Sequence, residues 1–187
     1  MWGPPDPKSR PTSLRGSAVA VAPSERPIAK NRASAQPANT TGEQFRTVVR
    51  NGYTYQIDSQ GRTRHVSGTL TVADVPLRSR ALQSQAGGAA RRVGDDGGHY
   101  IAARFNGPTE AFNHFAQDAN FNRGSYRLLE DDWARDKRAG KSVTVKIVPR
   151  FDGGSVRPST IDVWWTANGR TRSLKFPNER SEKRRGK

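Results

Sequence analysis

Two periods of hydrophobic residues run through this chain, and its first stretch has neither. From residue 45 onward apolar and polar positions alternate, as they do on a half-buried strand. "RTVVR" (46–50) and "YTYQID" (53–58) flank Asn51-Gly52, the strongest short signal for a two-residue hairpin turn. "GRTRHVSGTLTV" (61–72) follows a turn at Ser59 to Gly61 and reads as a third strand. The same alternation returns in "SVTVKIVPRF" (142–151), where Val143, Val145 and Ile147 share a face. "TIDVWWTA" (160–167) and "RTRSLKF" (170–176) flank a second Asn-Gly turn at Asn168-Gly169. Between these blocks the period changes. Tyr126, Leu129 and Trp133 recur at i, i+3, i+7, which predicts an amphipathic helix over 123–139, stopped by Gly140.

Two stretches fit neither period. Residues 76–98 are polar, basic and glycine-rich, and they read as an extended loop of the kind that carries function when ordered. Residues 1–44 hold seven of the twelve prolines among Ser, Ala, Arg and Asn. Such a segment cannot bury enough apolar surface to offset its ordering entropy, so it reads as a disordered linker or leader. One ordered domain is expected over 45–178, with a solvated basic tail over 179–187. Strands, loop, helix and strands in that order give an α+β fold on an antiparallel sheet.

Composition narrows the partners. The 187 residues carry a net charge of +15, with a sequence pI of about 11.1. The counterpart is a polyanion, and the arginine-rich balance favours phosphate, hence nucleic acid. There is no cysteine, which excludes disulfides, thiolate catalysis and the usual zinc frameworks. His65, His99 and His114 are the only histidines, and they have no metal-type spacing. No apolar run approaches the roughly 20 residues needed to span a bilayer, and the N-terminus lacks a signal-peptide layout.

The residues that could do chemistry lie on both sides of the helix entrance. On a regular helix Asn122, Tyr126, Leu129, Glu130 and Trp133 fall within roughly 100° of one another. An amide and a carboxylate then share the core-facing side, where an unpartnered carboxylate is costly. The plain alternative is that Glu130 sits at the stripe's edge and reaches water. His99 follows "GDDGG" (94–98), a glycine-rich stretch entering a strand. Taken alone it is an ordinary structural histidine, but Asp96 lies three residues before it, and Gly97-Gly98 admit a close approach.

Together these motifs resemble the DNA/RNA non-specific endonucleases, a family of ββα-metal (His-Me finger) nucleases. "DGGH" (96–99) is similar to their Asp-Arg-Gly-His signature, and "NHFAQDANFNRGSYRLLE" supplies Asn113, Gln117, Asn122, Gly124 and Glu130 in the family's order. "GGHYIAARFNGP" and "NRGSYRLLEDDWA" look closer still to nuclease domains at the C-termini of bacterial polymorphic toxins and secreted effectors. The resemblance implies a ββα-metal finger core. It also implies His99 as general base, and Asn122 and Glu130 as holders of a divalent ion, most simply Mg²⁺. Asn113 would orient His99 or brace the metal site. Asp96 would support the site from behind, and Asp95 would be plain loop. Arg91, Arg92, Arg123 and Arg127 would bind substrate phosphates. The family's arginine before the Gly-His pair is Gly97 here, and its usual proline before the Gln is Ala116.

The implied function is metal-dependent, sequence-tolerant cleavage of DNA and RNA by a toxin. That toxin would be made in the bacterial cytoplasm, delivered into a target cell, and neutralised at home by an acidic immunity protein. The alternative is a basic module that binds nucleic acid without cutting it.

Overall fold

Side-chain alternation builds the larger of two sheets. The computed structural model describes residues 44–180. Six antiparallel strands, β1 (Arg46–Arg50), β2 (Tyr53–Ile57), β3 (Thr63–Thr69), β6 (Val143–Arg150), β7 (Thr160–Ala167) and β8 (Arg170–Pro177), lie in the order β1-β2-β3-β6-β7-β8. Tyr53, Tyr55, Val66, Val145, Ile147, Val163 and Trp165 cover one face and are buried. Both expected hairpins form. Asn51 and Gly52 have φ of 51° and 82°, and Asn168 and Gly169 have 51° and 71°. Two positive φ values in succession are what a tight, right-twisted hairpin demands.

The second sheet is a ribbon of two strands, β4 (Asp95–His99) and β5 (His114–Asp118), paired antiparallel from Asp95 opposite Asp118 to His99 opposite His114. After β5 come one helical turn, α2 (Ala119–Phe121), a wide π-type turn over Asn122–Tyr126, and helix α3 (Arg127–Arg138). Strand, strand and helix follow one another in the expected ββα order. Tyr126, Leu129 and Trp133 join Tyr100, Phe105, Phe115 and Phe121 in one apolar cluster with the inner face of the large sheet.

Three expectations needed correction. Residues 76–98 are not an extended loop. Ser79 caps a short helix, α1 (Arg80–Gln85), by accepting from the Leu82 N–H, and β4 begins at Asp95. The helix expected from 123 starts at Arg127, because Gly124 (φ −103°, ψ −108°) breaks it. Tyr100–Phe105 does not continue a strand. It folds into a turn that buries Tyr100, Ile101, Ala103 and Phe105 and leaves Arg104 at the cleft. The leader over 1–44 and the tail over 179–187 lie outside the described residues, apart from Gln44, Glu179 and Arg180.

Candidate active site

The end of β4, the π-type turn and the start of α3 meet around a cleft of about 300 Å³. His99, Arg104, Asn122, Arg123, Arg127 and Glu130 line it, with Arg78 and Ala102-Ala103. A second cleft, of about 280 Å³, lies between α1 and the β6–β7 connection; its lining includes His114 and Phe151 but no carboxylate.

His99 closes β4, with His114 directly opposite and the two rings 5.2 Å apart. Burial, helped by the charges of His114 and Arg78, depresses its pKa to about 4. The imidazole is therefore neutral at pH 7 and can accept a proton. Its Nε2 lies 2.6 Å from the side-chain nitrogen of Gln83 on α1.

Asn122 opens the π-type turn. Its Nδ2 donates to Asp96 Oδ2 at 3.0 Å, and Arg123 grips the same carboxylate with Nε and a terminal nitrogen at 2.9 and 2.8 Å. Burial pushes the Asp96 carboxyl up, but the bonds from Arg123 and Asn122 outweigh it and hold Asp96 below its ordinary value. Asp96 is therefore anionic and fixes which end of the Asn122 amide it holds. Asn122 Oδ1 is left without a protein donor among the described residues.

Glu130 sits one turn into α3, with its side chain 15% exposed. Burial, with the neighbouring Asp131 charge, raises its pKa to about 7 against the weaker opposing pull of Arg104 and Arg127. Arg104 stands 3.4 Å from Glu130 Oε2 and gives its shorter bond, 2.6 Å, to Asp131. No group of three or more His, Cys, Asp or Glu side chains suited to a metal occurs among the described residues. The cleft instead offers one amide oxygen and one under-neutralised carboxylate. Oxygen donors of this kind suit a hard divalent ion that keeps most of its water.

The remaining implied residues separate. Asn113 is fully buried behind the cleft. Its Oδ1 accepts from Tyr55 Oη and the Ile101 N–H, and its Nδ2 donates to the Ile101 and Pro108 carbonyls. It sets the path of the chain leaving His99 and does not touch the ring. Arg91 points away from the cleft, its guanidinium donating to the carbonyls of Gln83, Ala86 and Asp95. Arg92 is exposed outside the cleft, while Arg123 and Arg127 stand at its rim.

Asp95 is no plain loop residue. It is buried in a bidentate pair with Arg157, both bonds 2.8 Å, and Arg157 also reaches the Asn178 carbonyl. Asn178 in turn accepts from the Asp118 N–H and donates to the Ala116 carbonyl. The β6–β7 connection and the end of β8 thus clamp the ribbon that carries His99. Asp95 and Asp96, as neighbours on β4, face opposite sides, which becomes visible only once β4 is known to be a strand. Arg104 and Gln83 gave no signal of their own in the sequence.

Comparison with known proteins places the chain in a family and matches its fold. The profile of the family described as DNA/RNA non-specific endonuclease matches residues 40–169. Type VII secretion system protein EssD of Staphylococcus aureus (strain USA300) is 34% identical over 125 residues, which are 63% of this chain and 20% of that protein. EssD of strain NCTC 8325 / PS 47 matches to the same extent. The chain spans about a fifth of the length of the curated relatives it matches. Its fold is similar to that of NucA from Streptococcus agalactiae with magnesium ion bound, with a TM-score of 0.56 at 15% identity, covering 73% of this chain and 84% of that one. Sda1 nuclease with bound zinc ion gives a TM-score of 0.50 at 14% identity, covering 67% and 75%.

Proposed function

The chain belongs to the DNA/RNA non-specific endonuclease family, and from that premise we propose that it hydrolyses the phosphodiester backbone of DNA and RNA, with His99 as general base and a divalent ion, Mg²⁺, at Asn122 and Glu130. The observation that carries this reading is the Asp96–Asn122 bond. An ionised carboxylate holds the amide by its nitrogen, which leaves the amide oxygen, in the cleft that Glu130 also lines, for a cation.

When bound, a hard cation at this position serves as a Lewis acid toward the phosphate and the departing 3′ oxygen. The chain's own residues do the rest. His99, neutral at working pH, takes a proton from the attacking water. Incoming phosphates offset the charge of Arg78, the smallest of the three influences that depress His99. Arg78, Arg123 and Arg127 at the cleft rim hold backbone phosphates without reading bases. Nothing in this chemistry uses a 2′-hydroxyl, so both nucleic acids are substrates.

The similarity to EssD supports a biological setting. The domain is the cutting part of a secreted interbacterial toxin that is delivered into a target cell and acts in its cytoplasm. The +15 charge makes an acidic immunity protein the natural neutraliser in the producing cell. Among the described residues no helix is long and apolar enough to cross a membrane.

The test is cleavage of plasmid DNA and of RNA, with Mg²⁺ and with EDTA, beside His99→Ala. Loss of cutting in EDTA and in the variant is expected. Cutting by His99→Ala at the parent rate refutes the base assignment. DNA that is retarded but intact in Mg²⁺ would replace the nuclease reading with a binding module.

A further inference from the structure

Helix α1 is six residues long and none of them is fully buried. Neither its length nor its packing would hold it. Three separate devices do. Ser79 caps its first turn, accepting from the Leu82 N–H through Oγ and from the Gln83 N–H through its carbonyl. Arg91 ties its far end to β4, donating to the Gln83 carbonyl at 3.0 Å and to the Asp95 carbonyl at 2.8 Å. Gly97 removes the side chain that would stand between them, since a Cβ there would overlap the Gln83 carbonyl and its Cα. All three converge on Gln83, and its amide ends 2.6 Å from His99 Nε2.

The chemistry of that contact has two forms. A half-turn of the terminal amide exchanges its oxygen and nitrogen in place. With the NH₂ toward the ring, Nε2 is the lone-pair nitrogen and is consumed by Gln83, and the proton sits on Nδ1. With the oxygen toward the ring, Nε2 carries the proton and Nδ1 keeps its lone pair. Only the second form leaves a nitrogen for water. We propose that Gln83 is a positioning residue for His99, its amide oxygen accepting the Nε2 proton and so fixing the tautomer in which Nδ1 is the base. Gly97, standing where the family's arginine would be, makes room for it, and Arg91 is an anchor of this arrangement. The inference rests on the reading of His99 as the base.

The other groups facing the ring are His114 from β5 and Arg78 ahead of α1; Arg104, Arg123, Arg127 and Glu130 lie around the same cleft. None of them hydrogen-bonds the His99 ring, so the tautomer is set from α1.

The test uses the full chain with Gln83→Leu and Gln83→Glu, beside the parent and His99→Ala. The tautomer and titration of His99 are read by ¹⁵N NMR without metal or nucleic acid, and kcat and KM are read on DNA with Mg²⁺. The parent is expected as the Nε2–H tautomer. Gln83→Leu should mix the tautomers and lower kcat about 10- to 100-fold, a general-base share of rate, with KM within about twofold. Gln83→Glu keeps the length and helix preference but places a carboxylate at Nε2. It should raise the His99 titration and move the acid limb of kcat upward by about one pH unit or more. An Nδ1–H parent, an unchanged tautomer in Gln83→Leu, or an unmoved titration in Gln83→Glu overturns the proposal. The NMR arm decides this even if His99→Ala cuts normally, an outcome that would instead sink the reading of His99 as base.

Discussion

Replacing Glu130 by Gln should abolish cleavage and yet stabilise the protein, by an amount that follows from the burial of the carboxyl. The pKa of this group stands at about 7 in the folded chain against an ordinary 4.5. The folded state thus binds the proton more tightly than the unfolded one. Below about pH 4.5 both states are protonated and the carboxyl costs nothing. As pH rises toward 7 the unfolded chain ionises freely while the folded one resists, so stability falls. Above 7 the whole penalty is present. At ~1.4 kcal/mol per tenfold in proton affinity the penalty approaches ~3 kcal/mol. With the side chain only 15% exposed, solvent screens little of it. Glutamine keeps the shape, still accepts from Arg104, and carries no charge at any pH. For an ordered domain of this size ~3 °C per kcal/mol is usual, so Tm should rise by ~10 °C at pH 8 and hardly at all at pH 4. Thermal unfolding of parent and variant in EDTA at pH 4, 6 and 8 reads this directly. A Tm difference that does not grow with pH, or a variant less stable at pH 8, would falsify the reasoning. Mg²⁺ at pH 8 should recover part of the gap in the parent and none in Glu130→Gln, because bound ligand stabilises only the state that binds it.

Gly97→Ala puts a methyl group against the Gln83 backbone; it should lift α1, speed hydrogen exchange across 80–86 and lower kcat by about tenfold or more, an overpacking effect. Unchanged exchange and rate would show that the contact has room to spare. Arg157→Met strands a buried Asp95 carboxylate that burial pushes up in pKa and that Arg157 now holds below its ordinary value. It should cost ~3–5 kcal/mol in urea unfolding at pH 7. The pair contributes above the carboxylate's ordinary range and fades as pH falls through its depressed value, so the deficit must narrow in acid. A deficit that is constant with pH contradicts the pairing. Arg127→Ala, at the cleft rim with no ion-pair partner among the described residues, should raise KM and reduce the salt slope of log KM by about one. A lower kcat at unchanged KM would place Arg127 in the transition state instead.

The two Asn-Gly hairpins were readable because their turn residues can hold positive φ where most others cannot, and the stripe of Tyr126, Leu129 and Trp133 announced α3. The ribbon was harder to read. "DDGGH" and "HFAQD" have neither alternation nor strand preference, and they pair because Arg157 and Asn178 hold them from outside. Asn122 and Glu130 were expected on one side by counting along a regular helix. They do share a cleft, but through a turn broken at Gly124. Gln83 could not be found from the sequence, since its role exists only once α1 is laid across β4.

The clamp on the ribbon also fixes when the site can exist during synthesis. His99, Asn122 and Glu130 all leave the ribosome before Arg157 and Asn178, the two residues that lock β4 and β5 in place. A nascent chain that ends short of them carries every chemical group of the cleft without the frame that assembles it. Cutting competence therefore arrives with the last strand and not with the motif.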